Sequence, residues 1–500
     1  MLIRSLQIRC HINQAYRLSA GAPVRTFCVS RVQRSQDPEI YDVVCVGGGP
    51  AGLALLTALK SNERTANLKT ALIDGQDLHG SKHQFEQTSG YSNRCSSLTP
   101  GSVSFLEGIG AWSHVNSSRT QPYNAMQVWD GVSGSSIHFD PMDLRKSNML
   151  DLVFPKPRNQ LGEPIIATMT ENANLTSALL DRLSSLPSST VFSKTRVESI
   201  DLGSETPTLD LQSWPIISLS SQSTKLAARL LIGADGFNSP VRTFANIPSR
   251  GWDYNRHGVV ATLSLAPSQP PLTTAYQRFL PTGPIALLPL PSSTASLVWT
   301  TTPSHAAKLR RLSPLDFTAM VNAAFRLLPT DIEYMLTSMP DFGQADEVAW
   351  RIPATSFDPT LVPPLVETVQ DSSIASFPLR MRHADTYVAD RVALVGDAAH
   401  TIHPLAGQGL NQGLADAKAL ADAIDYAVQV GWDIGGPWAL ERYNAQQWGG
   451  NSALIGAVDK LHKLYSAESG PVVWARSLGL AAVERAGWVK GAFMRVAAGR

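Results

Sequence analysis

Residues 40–60 read Ile40-Tyr41-Asp42-Val43-Val44-Cys45-Val46-Gly47-Gly48-Gly49-Pro50-Ala51-Gly52-Leu53-Ala54-Leu55-Leu56-Thr57-Ala58-Leu59-Lys60. The first seven are β-branched, apolar and bounded by glycine, the pattern of a buried strand. Leu53 onward is the pattern of a helix. Between them Gly47 permits a tight turn, Gly49 lets the backbone approach a pyrophosphate, and Gly52 lets helix and strand pack closely. The helix N-terminus then offers N–H groups to phosphate. A second strand, Lys69–Ile73, ends at Asp74, 22 residues after Gly52, where an acid binds an adenosine ribose hydroxyl. Strand, glycines, helix, strand and acid in this order specify a dinucleotide site. They do not separate FAD from NAD.

Two later segments narrow the choice. Ala228 to Arg242 reads as strand, turn and helix start around Gly233-Ala234-Asp235-Gly236. Arg391 to His400 is another strand running into Gly396-Asp397-Ala398-Ala399-His400, followed by Pro404-Leu405-Ala406-Gly407-Gln408-Gly409-Leu410-Asn411. A long helix follows, with Leu410, Leu414, Ala417 and Ala421 at helical spacing. Glycines at its start expose N–H groups suited to an anionic ring edge.

These three motifs together resemble the single-component FAD aromatic hydroxylases. Arg94-Cys95-Ser96-Ser97-Leu98-Thr99-Pro100-Gly101-Ser102, Asp130 to Ser135 and Trp474 to Leu480 bring the resemblance closer to the mitochondrial ubiquinone-biosynthesis hydroxylases. It runs from about residue 40 to the end. The resemblance implies FAD as cofactor. It places the pyrophosphate at Gly47, Gly49, Pro50, Ala51 and Gly52, the adenosine ribose at Asp74 and the ribityl chain at Gly396 and Asp397. The isoalloxazine would lie against Gly407, Gln408, Gly409, Leu410 and Asn411, with Arg94, Asp235 and Gly236 also at the cofactor.

The implied reaction is hydroxylation of a polyprenylated phenolic coenzyme Q precursor at ring position C5 by O2, through a flavin C4a-hydroperoxide. The flavin carries that chemistry, so no catalytic acid–base dyad is required. Ferredoxin and its reductase are the implied electron donors, and other coenzyme Q biosynthesis proteins the implied partners. The implied location is the matrix side of the mitochondrial inner membrane, held peripherally.

Several residues carry blander alternatives. Arg94 can pair with a surface acid, and Asp235 can simply brace its turn. His400 and His403 lack a third ligand nearby, so zinc is rejected and both read as hydrogen-bonded turn residues. Trp350-Arg351-Ile352-Pro353 partly matches the Trp-x-Trp-x-Ile-Pro element of flavin halogenases, but Val348 stands where the first Trp belongs. A FAD-binding scaffold without turnover is the alternative outside enzymology.

Composition fits this reading. The chain has 500 residues, 42 Lys and Arg against 41 Asp and Glu, and four Cys. So even a charge argues against a nucleic-acid binder, and so few Cys against a disulfide scaffold. No run of about 18 apolar residues is present. Residues 1–36 hold six Arg and no acid, with Ser5, Ser19, Ser30 and Ser35 interspersed, the composition of a mitochondrial transit peptide. A disordered basic arm is its plain alternative. Removing that segment leaves 36 basic and 41 acidic residues, a net of −5.

The expected fold class is α/β: a discontinuous Rossmann-like FAD-binding domain, an inserted mixed β-sheet substrate domain and a helical C-terminal region. FAD-binding parts are expected at 37–140, 166–250 and 376–425, substrate-domain parts at 141–165 and 251–375, and the helical region at 426–500. Strands are expected at 258–263, 274–279 and 296–300, with prolines from Pro267 to Pro291 as punctuation, helices over 314–338, and a Pro-rich loop at 353–370. The basic stretch 471–498 either lies on an anionic membrane surface or packs on the FAD domain.

Overall fold

The largely buried run Tyr41–Val46 lies within the strand Glu39–Val46, in the parallel core of a mixed sheet. Its neighbours are Thr70–Ile73 on one side and Leu226–Gly233 on the other, and Val392–Leu394 lies beyond the latter. All are short and aliphatic because both faces are covered, as parallel strands require. The register aligns Val46 with Gly233 and Gly233 with Leu394, so three chain segments far apart in sequence end at one edge. The helix Pro50–Ser61 is buried from Gly52 to Lys60, enclosed between this sheet and the long helix Gly409–Val430. The buried Lys60 ammonium donates to the carbonyls of Ala66 (2.9 Å) and Leu68, closing the turn into the next strand.

The structure, a computed structural model, describes residues 37–140, 165–187, 189–205, 210–221, 224–267, 272–402, 408–465 and 479. Residues 1–36, expected to be a transit peptide, the stretch 141–164, His403 to Gly407 and almost all of the basic stretch 471–498 lie outside them.

A second, nine-stranded sheet is built on Ser249–Leu265, which pairs with Thr294–Thr301 and with Ala375–Ala384. Gly283–Leu290, Thr274–Leu280, Ala125–Asp130 and Ser136–Phe139 extend it in that order. One face packs on the helices Pro303–Leu309, Pro314–Arg326, Pro329–Thr337 and Gln344–Ala354, in a core that includes Trp299, Ile285, Phe317 and Phe325. A three-stranded sheet of Cys95–Leu98, Ala167–Glu171 and Thr120–Tyr123 is the third β element.

This fold is the expected α/β class, and three details differ from the sequence reading. Gly283–Leu290 is a full strand although it holds Pro284 and Pro289. Each proline sits one residue from a strand end, where a missing N–H disturbs the ladder least. Within 353–370, Val366–Val369 is not loop but pairs with Ser249–Leu265. Finally, Ala125–Asp130 and Ser136–Phe139 pair into the second sheet, as does Ala375–Ala384. Among the described residues no helix is long and apolar enough to cross a membrane.

Phe317 is fully buried where helices meet the second sheet. Phe317→Ala is expected to cost about 3–5 kcal/mol of unfolding free energy in urea titration. A loss below about 1 kcal/mol would show that this layer is not part of the cooperative core.

Candidate active site

The aligned strand ends open into a cavity of about 680 Å³. Its walls come from all three motifs: Gly49, Pro50 and Ala51 from the first, Ala234 and Gly236 from the second, Gly396 and Asp397 from the third. Gly409, Leu410 and Gly413 of the long helix complete one side. Such a crevice beyond the carboxyl ends of parallel strands is where open α/β sheets bind ligands.

The glycines divide the work. Gly47 has φ +112° and a Cβ there would lie 2.1 Å from the Ala234 carbonyl oxygen. A Cβ on Gly52 would lie 2.2 Å from the Gly47 oxygen. Both are fixed by packing. A Cβ on Gly49 would meet nothing within 4 Å, so this position is open towards a ligand. The helix Pro50–Ser61 has no side-chain cap, and neither does Gly409–Val430 at Gln408. Both helix starts therefore present uncapped N–H groups beside the cavity, a donor set that fits an anionic dinucleotide.

Asp74 ends its strand beside the glycine turn and accepts from Gly48 N and Gln76 N, each at 2.6 Å. It stands next to the cavity rather than on its wall. Asp235 accepts from Val241 N at 3.2 Å, which braces the start of Pro240–Phe244. Burial raises its pKa, with Ser239 and Arg242 opposing. Asp397 is exposed on the cavity wall, and the protein packed around it raises its carboxyl pKa against the attraction of His400. Gly396 takes φ +61° to make this turn.

Asn411 is turned to the neighbouring segment: its amide donates to Ser97 O (2.8 Å) and accepts from Thr99 N (2.9 Å) and Ser102 Oγ (2.8 Å). Gln408 is half-buried one residue before the long helix, and Gly407 and His403 lie outside the described residues. Arg94 is exposed, makes no ion pair among the described residues, and lines a second chamber.

That chamber, about 540 Å³, shares Cys95, Ser96, Asn172, Phe377 and Asp397 with the first, so the two adjoin. Its wall is the open face of the second sheet, with Val260, Ala286, Leu288 and Val298. Gln277 projects from the same wall. The Tyr123 and Ser97 hydroxyls, 2.8 Å apart, close one side. Burial pushes the Cys95 thiol up to about 12, so it is a neutral wall residue.

Three supporting residues have no motif role of their own. Arg242 donates to Ala398 O and Phe237 O, both at 2.7 Å, tying the second motif to the third. Glu171 is buried, pairs with Arg119 at 2.6 Å and accepts from Ser92 N at 2.6 Å, which holds the segment leading to Arg94. Asp416 lies inside the long helix and bonds His400. Only the position of Asp416 two turns into a helix after the third motif hinted at its direction. Among the described residues no group of three His, Cys, Asp or Glu is placed to hold a metal. Trp350 is 56% exposed on the helix Gln344–Ala354 and is not on either cavity wall, so the halogenase-like element is a surface feature.

Comparison with known proteins agrees with this geometry. The family model described as "FAD binding domain" matches residues 40–349 and 343–447. The mitochondrial ubiquinone biosynthesis monooxygenase COQ6 of Schizosaccharomyces pombe is 39% identical over 94% of this chain and 93% of its own. The human protein of the same name is 37% identical over 89% of each. Among solved structures, p-nitrophenol 4-monooxygenase PnpA of Pseudomonas putida aligns with TM-score 0.61 and 19% identity, over 91% of this chain and 96% of its own. Klebsiella pneumoniae HpxO, complexed with FAD and uric acid, aligns with TM-score 0.59 and 16% identity, over 91% and 97%. These two are likenesses of fold.

Two outcomes are expected. Gly49→Ala should weaken FAD binding at least about tenfold in fluorescence titration without moving the apoprotein melting temperature, whereas Gly47→Ala should lower both. Equal behaviour of the two would refute the division of labour. Separately, burial and the neighbouring His400 push the pKa of His383 down to about 4. Between that value and the ordinary 6.5 the unfolded chain binds a proton that the folded chain refuses, so this group's contribution lowers stability as pH falls. His383→Asn should flatten the loss of unfolding free energy between about pH 6.5 and 4.5; an unchanged slope would contradict it.

Proposed function

Because the chain belongs to the mitochondrial ubiquinone-biosynthesis monooxygenases of the FAD-binding family, we propose that it hydroxylates the ring of a polyprenylated phenolic precursor of coenzyme Q at C5, in the adjoining chamber. It is a flavoprotein monooxygenase with FAD as its cofactor. The observation that carries the substrate assignment is the chamber itself: an aliphatic sheet face that shares Asp397 and Phe377 with the cofactor cavity.

FAD would be held by Gly47, Gly49, Pro50, Ala51 and Gly52 at the pyrophosphate and by Asp74 at the ribose. Gly396 and Asp397 would take the ribityl chain, with the backbone from Gly407 to Asn411 beside the ring. Arg94, Asp235 and Gly236 complete the set. Bound and reduced, the flavin supplies oxygen activation and delivers one oxygen atom. The chain's own task is to hold the substrate ring and exclude water. Val260, Leu288 and Val298 present a dry wall to the ring. Gln277, for which the side chain has no hydrogen-bond partner among the described residues, is aimed at this space and would orient a ring oxygen.

The electrons are assigned to ferredoxin and its reductase, the location to the matrix side of the inner membrane, and the partners to other coenzyme Q biosynthesis proteins. Anaerobic mixing with NADPH, ferredoxin and its reductase together is expected to bleach the flavin, and NADPH alone is not. Rapid reduction by NADPH alone would overturn the donor assignment. Gln277→Leu should raise KM for the phenol several-fold, or mix regioisomers in mass analysis, with FAD affinity unchanged. An unaltered KM and product would remove Gln277 from the site.

A further inference from the structure

Beneath the cofactor cavity lies a buried polar cluster that the oxygen chemistry does not use. Asp416 is wholly buried on the long helix Gly409–Val430. Its Oδ2 accepts from the backbone N–H of Gly396 at 3.0 Å and from His400 Nε2 at 2.6 Å. Its Oδ1 accepts from Asn451 Nδ2 at 3.1 Å, on the helix Pro437–Tyr465. Gly396 and His400 bracket the turn that carries Asp397, and Gly396 and Asp397 both line the cavity. The helix Gly409–Val430 supplies Gly409, Leu410 and Gly413 to the adjoining wall.

A single carboxylate therefore fastens two walls of the cavity to each other. We infer that Asp416 is a positioning residue: through Gly396 N and His400 it sets where Asp397 stands relative to the start of the long helix, and so the affinity and redox state of the flavin held between them. The inference rests on the reading that the cavity binds FAD.

Charge supports the geometry. Burial opposes a proton on His400, yet the Asp416 carboxylate outweighs it and the pKa stands above the ordinary value. Beside Asp416 the imidazole therefore holds a proton more readily than a free histidine does, which offsets the acid's charge near the flavin. Burying such a pair contributes little stability by itself. Removing one partner leaves the other charge uncompensated in a low dielectric. A buried carboxylate deprived of its cation would disfavour electron uptake by a nearby flavin.

The test uses the full-length holoprotein and three variants. Asp416→Leu removes every acceptor, and Asp416→Asn keeps an oxygen for Gly396 N. His400→Gln removes the cation and leaves the acid. FAD dissociation constants, flavin midpoint potentials and melting curves are measured for each. Asp416→Leu is expected to weaken FAD at least about tenfold, with Asp416→Asn recovering most of the affinity. His400→Gln is expected to lower the midpoint potential. The inference is overturned if folded Asp416→Leu binds FAD as the wild type does, or if, should that variant not fold, Asp416→Asn binds normally while His400→Gln leaves the potential unmoved. A wild-type chain that takes up no FAD would instead overturn the cofactor reading on which the inference stands.

Discussion

The alignment of three parallel strand ends is the constraint from which the rest follows. Val46, Gly233 and Leu394 come level at one sheet edge. Each strand is then followed by a turn that cannot continue the sheet: Gly47-Gly48-Gly49, Ala234-Asp235-Gly236 and Val395-Gly396-Asp397. The Gly47 turn touches the Ala234 carbonyl so closely that any side chain there would collide with it. A ligand site made of segments separated by nearly 190 and 160 residues is thus assembled by backbone pairing alone, before any side chain contributes specificity.

The second sheet explains why those segments are so far apart. Ser249–Leu265 through Ala375–Ala384 fills most of the gap between the second and third motifs, and the strand Ala125–Asp130 joins the same sheet in parallel with Thr274–Leu280. One sheet face is spent on the helices around Phe317. The other is left to line the chamber that meets the cofactor cavity at Phe377 and Asp397. An apolar phenol on a dry wall beside an enclosed flavin is what a hydroxylation that must exclude water calls for.

Local patterns made the cofactor region legible. Glycine turns, a β-branched strand and a helix start are written in contiguous residues, so Gly47 to Gly52 could be placed with their separate steric duties. The second sheet was harder to read because its strands are joined by long-range pairing. Pro284 and Pro289 looked like punctuation, and only the neighbours on both sides make Gly283–Leu290 a strand. Val366–Val369 gains its identity from Ser249–Leu265 in the same way. Asp416, Arg242 and Glu171 were illegible for a related reason. A buried charge is recognisable only with its partner, and these partners lie 16 to 156 residues away.

The near-balance of charge in the whole chain also divides. The first 36 residues hold six arginines and no acids, so the remaining body is mildly acidic. The proposed function comes together in one site, where FAD and a phenolic ring would meet across Asp397 and Phe377 and one atom of dioxygen would enter the ring. Turnover of a prenylated phenol under isotopically heavy O2, followed by mass analysis, tests this most directly. The account predicts one heavy oxygen atom in the product ring. A product whose new oxygen comes from water, or flavin oxidation with no ring hydroxylation at all, would contradict it.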